Sequence, residues 1–520
     1  MSYSYLHDVD QGGYNHRIQE YPSVEIPNLT TSNKSTIGHS VAPSLPDTSL
    51  DNASIDAIPS NSDNYLLIIS SLIFSLLVGV VFIVVGLIVH KNSKSWRSDE
   101  LPDWRPGTER NIIVSINYSG NLALSLLLNV LVTFCIEFTG YAHGMALKWG
   151  LAEEGRLRFN TNSRLFTTTQ GTFSINGPAA NTLFGISIVL SYASCNSIFL
   201  RFGIPTDMGD RHYYTVISFV PPVVFGSTLI IQSVLGMIAF RDRRILTWSN
   251  NPLDVASALV YHDYLQHQPS RCMRSVITPT AESGWVSATR PSSTQPSLLV
   301  AHGTVRHMVG LVWAVAAAGF LFGGILLACD GGAVHWRDKI APPGPLLWGL
   351  LLVAVIQSAV TVALHCCEVV MAFVRDEVVW RAASSQRGAR LAVTPMELVL
   401  GSWQSCGVLF CKPAMHWFFG IAVSLEPGWG WTTDGISMLM FASSLVLLAS
   451  FVTIVATRRP RGPQPAAYGN LQTLADLIDE WSETMYWGHK ADGVGPLPVS
   501  HAGTTGDGPL PPIRMSAYYE

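Results

Sequence analysis

An all-α fold is predicted: a polytopic integral membrane bundle of about eight transmembrane helices, between a disordered amino-terminal tail and a soluble, cytosolic carboxy-terminal tail. Three observations predict it. Of 520 residues, 48% are hydrophobic and 13% charged, against about 25% charged in soluble domains. Apolar runs recur at the length that a hydrocarbon core of roughly 30 Å demands. Between them lie polar stretches rich in Gly, Pro, Ser and Thr, the residues of turns and loops. The net charge of −4 argues against nucleic acid as the main partner; the expected partner is the lipid bilayer.

Residues 1–64 are rich in Ser, Thr, Asn, Asp and Pro and hold few large apolar groups. Such a segment cannot bury enough surface to offset its chain entropy and is read as disordered. The first apolar run starts at Tyr65, too far along and too long for a secretory leader. Spans follow at about 65–89, 119–141, 180–200, 216–240, 308–329, 346–374, 404–425 and 435–457. The first carries no charge and is about 37 Å long at 1.5 Å per residue. In the fourth, Pro221-Pro222 predicts a kink near one end. The seventh is interrupted by Lys412-Pro413 and reads either as a crossing or as a re-entrant pair of half-helices.

Among the connections, residues 142–178 are polar with amphipathic hints, and 268–297 are Ser/Thr/Pro-rich and expected to be flexible. In the fifth span Gly319, Gly323 and Gly324 form a small-residue face for helix contact. The soluble tail, 458–520, carries an amphipathic helix over about 470–487. It puts Leu471, Leu474, Ile478, Trp481 and Met485 on one face and Asp476, Asp479, Glu480 and Glu483 on the other. The acidic face disfavours anionic lipid, so the helix is expected to dock on the protein's own cytosolic surface or on a protein partner. Seven of eight cysteines lie in or beside apolar runs, and Cys272 lies in a loop; this is no disulfide framework.

Lys and Arg near span ends favour cytosolic termini. Lys148, Arg156, Arg158, Arg164, Arg241, Arg375, Arg381, Arg458 and their neighbours outnumber Lys91, Lys94, Arg97, Arg201, Arg337 and theirs. One signal objects. The sequons at Asn28, Asn33 and Asn52 are glycosylation candidates only if the amino-terminal tail is lumenal. No motif distinguishes plasma membrane from endomembrane.

The sixth span holds Gln357, Thr361, His365 and Glu368. At 100° per residue, Thr361 lies about 40° from Gln357, His365 about 80° and Glu368 about 20°. A charge at mid-bilayer costs roughly 2.5–3.5 kcal/mol, so this face is expected to look into the bundle or a wet cavity. The second span repeats the pattern at Asn121, Ser125, Asn129, Thr133 and Glu137. Glu137 lies about 6 Å, Glu368 about 10 Å and Lys412 about 13 Å from the same ends of their spans. The expectation is a hydrated intramembrane cluster of Glu137, His365, Glu368 and Lys412, flanked by Asn129, Gln357 and Thr361. The bland alternative is that these groups only hold helices together, at about 0.6 kcal/mol each. His365, Cys366 and Glu368 could ligate a metal, but no second ligand pair stands at diagnostic spacing. No P-loop, dinucleotide, HExxH or GxSxG motif occurs. No catalytic residue, cofactor or metal is assigned.

RLRFNTNSRLFTT (156–168), LHCCEVVMAFVRDEVVW (364–380), KPAMHWFFG (412–420) and LQTLADLIDEW (471–481) followed by YWGHK resemble segments of a group of multi-pass membrane proteins of filamentous fungi. The likeness runs from about the second span to HAGTTGDGPLPPI (501–513). It implies a fungal integral membrane protein and supplies no activity. Three functions stay open, in this order: a transporter or channel using the polar cluster; a membrane scaffold or biosynthetic accessory factor recruiting a partner through Leu471 to Met485; an enzyme acting on a lipid or terpenoid-like substrate with His365 and Glu368 as acid and base.

Overall fold

The structure, a computed structural model, describes residues 62–93, 111–205, 211–242, 245–278, 288–329, 333–335, 346–426, 430–493 and 498–520. Everything described belongs to one compact unit. The sequons at Asn28, Asn33 and Asn52, and the tail read as disordered up to residue 61, lie outside the described residues.

The chain opens with α1 (Ser62–Asn92), β1 (Asn111–Val114), α2 (Tyr118–Glu153) and α3 (Pro178–Asn196). Then come β2 (Leu200–Pro205), β3 (Arg211–Ser218), α4 (Val220–Asp242) and the short α5 (Pro252–Tyr261). One turn, α6 (Leu298–Ala301), leads into α7 (Gly303–Ala328), β4 (Ala333–His335) and α8 (Leu346–Arg381). The run β5 (Ala389–Arg390), α9 (Pro395–Leu400), α10 (Trp403–Ala422), β6 (Val423–Glu426), β7 (Gly430–Asp434) and α11 (Gly435–Thr457) follows. The chain closes with α12 (Leu471–Leu477), β8 (Thr484–Ala491), β9 (Val499–Thr505) and β10 (Tyr518–Tyr519). Among the described residues seven helices are long and apolar enough to cross a membrane: α1, α2, α3, α4, α7, α8 and α11. Their outward faces keep large apolar residues exposed, such as Leu77 and Leu87 on α1 and Leu447 on α11. In water such faces would be costly; against acyl chains they are at home.

Three small sheets correct the all-α expectation. β1, β3 and β2 form one, in that order; β4, β7 and β6 form the second; β10, β9, β8 and β5 form the third. The first two settle how the long helices alternate. β1 and β3 lead into α2 and α4, and β2 leaves α3; β4 and β6 leave α7 and α10, and β7 leads into α11. β2 also touches β6. These helix ends therefore share one face, and the third sheet, α5 and α12 lie at the other ends. α10 starts at the face where α8 finishes and ends in the sheet with β4. It is one continuous helix through Pro413, not two half-helices.

Other expectations are corrected too. Pro221-Pro222 makes no kink: it sits in the first turn of α4, where a missing N–H leaves no bond unmade. α2 and α8 outrun their apolar segments. At 36 residues each they are about 54 Å long, and the length beyond the roughly 30 Å of a hydrocarbon core carries a further layer of the fold, called extramembrane below. There the last turns of α2 and α8 bury Trp149 and Trp380 with Leu253 of α5, Leu474 of α12 and Met485 of β8. The tail is thus folded onto the bundle. Its predicted helix over 470–487 ends at Leu477, and residues 484–491 are a strand. Leu471, Leu474, Ile478 and Met485 are all buried within the chain itself and Trp481 is half-buried, so this face docks on the protein's own surface. Nor is 268–297 loose where it is described: Thr289 bridges to Tyr519 and Thr294 to Arg461.

Close helix approaches rest on glycine. A Cβ on Gly79 of α1 would lie 2.8 Å from the Gly226 carbonyl of α4, and one on Gly226 2.3 Å from the Gly79 carbonyl. Gly319 and Gly323 do the same for α7 against Ala442 and Leu439 of α11, whereas Gly324 faces open space.

Candidate functional site

α2, α8 and α10 bring three charges together inside the bundle. Lys412 Nζ donates to Glu137 Oε1 at 2.5 Å and to Glu368 Oε1. The lysine side chain is 5% exposed; Glu137 and Glu368 keep 31% and 22%. His365 Nδ1 stands 3.5 Å from the second oxygen of Glu368, and its Nε2 is buried with no hydrogen-bond partner among the described residues. The helices supply this arrangement for ordinary reasons. Glu368 and His365 are three apart on one helix face, and α10, whose Pro413 directly follows the lysine, carries Lys412 inward opposite them.

Asn129, Gln357 and Thr361 do not join this cluster. One turn from Lys412, His416 organises a separate neutral network. The Gln357 amide nitrogen donates to His416 Nδ1 at 2.6 Å. Asn129 Nδ2 donates to Asn196 Oδ1 at 2.8 Å, and Asn196 Nδ2 to the His416 carbonyl at 3.0 Å. Tyr192 stacks on the His416 ring with centroids 3.4 Å apart. Among the described residues, Thr361 bonds the carbonyl of Gln357 in its own helix. This layer ties α2, α3, α8 and α10 together and matches the packing role expected of buried polar groups.

The charged cluster borders a cavity of about 350 Å³. α2 forms its long wall with Glu137, Gly140, Gly144 and Lys148, residues spaced three or four apart on one face. Leu67, Ile68 and Ser71 of α1, and Ser405, Val408 and Leu409 of α10, flank it; His365, Glu368 and Arg375 enter from α8. Toward the extramembrane layer the lining turns polar. Lys148 Nζ donates to Asn160 Oδ1 at 2.8 Å and Asn250 Oδ1 at 2.9 Å. Arg375 Nη2 lies 3.4 Å from Asp376 Oδ1, and Asp376 Oδ2 accepts from Asn160 and Thr161. The Arg164 guanidinium lies over Gly140, where any Cβ would come within 1.8 Å of it.

Sequence reasoning placed Lys148, Arg164 and Arg375 among topogenic charges and missed their convergence. Gly140, Gly144 and His416 were missed as well. A signal existed for some: Gly140, Gly144 and Lys148 carry on the polar face of α2 beyond Glu137 at steps of three and four, and His416 follows Lys412 by one turn. Nothing local marks Arg164, which reaches the site from the connection between α2 and α3.

A second polar cluster lies in the extramembrane layer. Asp479 accepts from the Thr504 amide at 2.6 Å, Lys490 Nζ at 3.0 Å and His501 Nε2 at 3.2 Å. Burial pushes the Asp479 carboxyl up, but His501, Thr504 and Lys490 outweigh it and hold it below the usual carboxylate range. Asp479 in turn, and after it the Cys272 sulfur, raises His501 to about 10. These bonds secure a fold rather than face a cavity. Among the described residues no three His, Cys, Asp or Glu side chains converge to hold a metal ion.

Fold and site together define a mostly helical protein with seven helices able to span a membrane and a charged cavity among them. No family profile, curated protein or solved structure matches the chain.

Proposed function

We propose that the protein crosses the membrane eight times, with α10 as the eighth crossing and both ends of the bundle on the cytosolic side, and that it is a transporter-like carrier. In this reading Glu137, Glu368 and Lys412 form its proton- or ion-responsive element. The observation that carries the reading is the sharing of one buried ammonium by two carboxylates from different helices beside a cavity. Two negative charges compete for one positive charge in a medium that penalises any surplus. Protonating either carboxylate frees its helix from Lys412, so α2 and α8 can exchange their hold on α10. Alternating access needs such a bistable contact. Lys412 sits in a continuous helix whose crossing is supported by the sheet that joins β6 to β4.

The scaffold reading loses weight because the apolar face of 471–485 is spent inside the chain. The test is charge movement. Protein reconstituted in sealed vesicles is stepped in pH on a solid-supported membrane. Wild type should give a transient that Glu368→Gln abolishes while its abundance and elution volume stay normal. Equal transients from the variant, or none above empty vesicles for wild type, would sink the proposal.

A further inference from the structure

We infer that the cavity binds an acidic amphiphile: an acyl chain ending in an oxyanion headgroup, drawn from the bilayer. This names the ligand class of the site proposed above and rests on that cavity, not on flux. Three observations point the same way.

The first is a set of cations with unused donors. Lys148, Arg164 and Arg375 all line the cavity. Lys148 is 5% exposed; its ammonium bonds two asparagine oxygens, and Asn160 links it to Asp376. Arg375 is 9% exposed and shares Asp376 with Asn160 and Thr161. Glu137 and Glu368 share Lys412, and Arg164 faces the carboxylate charge left between them. The Nε atoms of Arg164 and Arg375 are nevertheless buried with no hydrogen-bond partner among the described residues. Buried donors without acceptors are costly, and guanidinium groups match carboxylate and phosphate oxygens bidentately. An oxyanion satisfies these donors.

The second is the lining around them. The rest of the lining is largely apolar: Ile68, Phe134, Phe138, Met145 and Leu409, with Ile68 and Met145 packed together beside the cations. Leu67 and Phe134 are 49% and 43% exposed on the outer surface of spanning helices, so the cavity opens sideways to acyl chains. Lys148 lies about 16 Å further along α2 than Glu137, and Arg164, over Gly140, lies between them. A lipid-derived molecule suits this mixture: an anionic head among the cations and a chain along the apolar wall.

The third is size. A cavity of about 350 Å³ has room for a headgroup with part of one chain, the rest lying in the bilayer. The space is made by glycine: a Cβ on Gly144 meets nothing within 4 Å.

The test measures equilibrium binding in nanodiscs of zwitterionic lipid, with no gradient, by displacement of spin-labelled stearate. Oleate and dodecyl phosphate should compete at least tenfold better than oleyl alcohol, which lacks the charge, and than inorganic phosphate, which lacks the chain. Arg164→Gln, at a half-buried position, should weaken oleate at least tenfold and leave oleyl alcohol unchanged. Gly144→Phe should fill the cavity and abolish displacement without removing a charge. Oleyl alcohol matching oleate would overturn the proposal, as would inorganic phosphate competing as well as dodecyl phosphate. So would unchanged binding in both variants. Binding that survives in Glu368→Gln while charge movement is lost keeps both readings. Charge movement without oleate binding removes only the ligand assignment.

Discussion

Lys412 shows at the scale of one side chain why the site is sensitive. An ammonium 5% exposed is held by two carboxylates. Removing one partner of a buried pair costs about 3–5 kcal/mol because the other charge is left uncompensated, whereas replacing all partners with neutral groups is far milder. Lys412→Met alone should therefore lower the thermal midpoint in detergent strongly, and Lys412→Met with Glu137→Gln and Glu368→Gln should recover most of it. A triple variant as unstable as the single one would mean that the cluster is not an isolated charge balance. The pairing of Glu137 with Glu368 was legible from depth along the helices. That Asn129 and Gln357 belong to the His416 layer was not. Helical angles place a residue on a face, but which neighbour it meets depends on how the partner helix is rotated and shifted.

At the scale of elements, two contacts carry separate predictions. α1 and α4 touch backbone to backbone at Gly79 and Gly226. Gly226→Val should overpack this crossing and cost about 1–3 kcal/mol, read as a lower midpoint with Gly324→Val as a neutral control, since Gly324 faces open space. In the extramembrane layer, Asp479 and His501 make the tail pH-sensitive with a definite sign. His501 binds its proton more tightly folded, about 10 against an ordinary 6.5. Its contribution is complete below about pH 6.5 and fades as pH rises through 10. Asp479 is depressed, so its contribution is present above its ordinary 3.8 and fades on acidification. Protection from hydrogen exchange at 479–493 and 498–505, taken relative to the free-amide rate at each pH, should fall between pH 6.5 and 10, and His501→Gln should flatten that fall. The same cluster explains the misread helix. Leu471, Leu474 and Ile478 have helical spacing, but Asp479 is captured by Thr504, Lys490 and His501. Those long-range bonds end the helix two residues earlier and turn Met485 into a strand position.

At the scale of the whole molecule, alternation of the long helices puts β1, β4 and β6 on one face and the folded tail on the other. In a Cys329→Ser background, Ser115→Cys and Ser424→Cys should react with an impermeant thiol reagent from one side of sealed vesicles, and Ser385→Cys from the other. Ser424→Cys reacting with Ser385→Cys would return α10 to a re-entrant loop. The folded tail also binds the bundle's ends: Trp380 Nε1 donates to the Pro465 carbonyl at 2.9 Å, and Glu377 accepts from the amides of Ala467 and Tyr468. Truncation at residue 463 should therefore expose Trp149 and Trp380 and yield aggregated protein rather than a trimmed, stable bundle.

Run length and composition were enough to mark the seven helices able to span a membrane, though not the expected span at 404–425, whose helix α10 is outside that set. An apolar layer of roughly 30 Å imposes its requirement on each segment separately. The same cost told which polar residues must face inward. Long-range pairing alone decided the rest: the three sheets, the early end of α12, and the meeting of Lys148, Arg164 and Arg375 around one cavity. Those contacts join residues far apart in the chain, and no local period records which distant partner a side chain will meet.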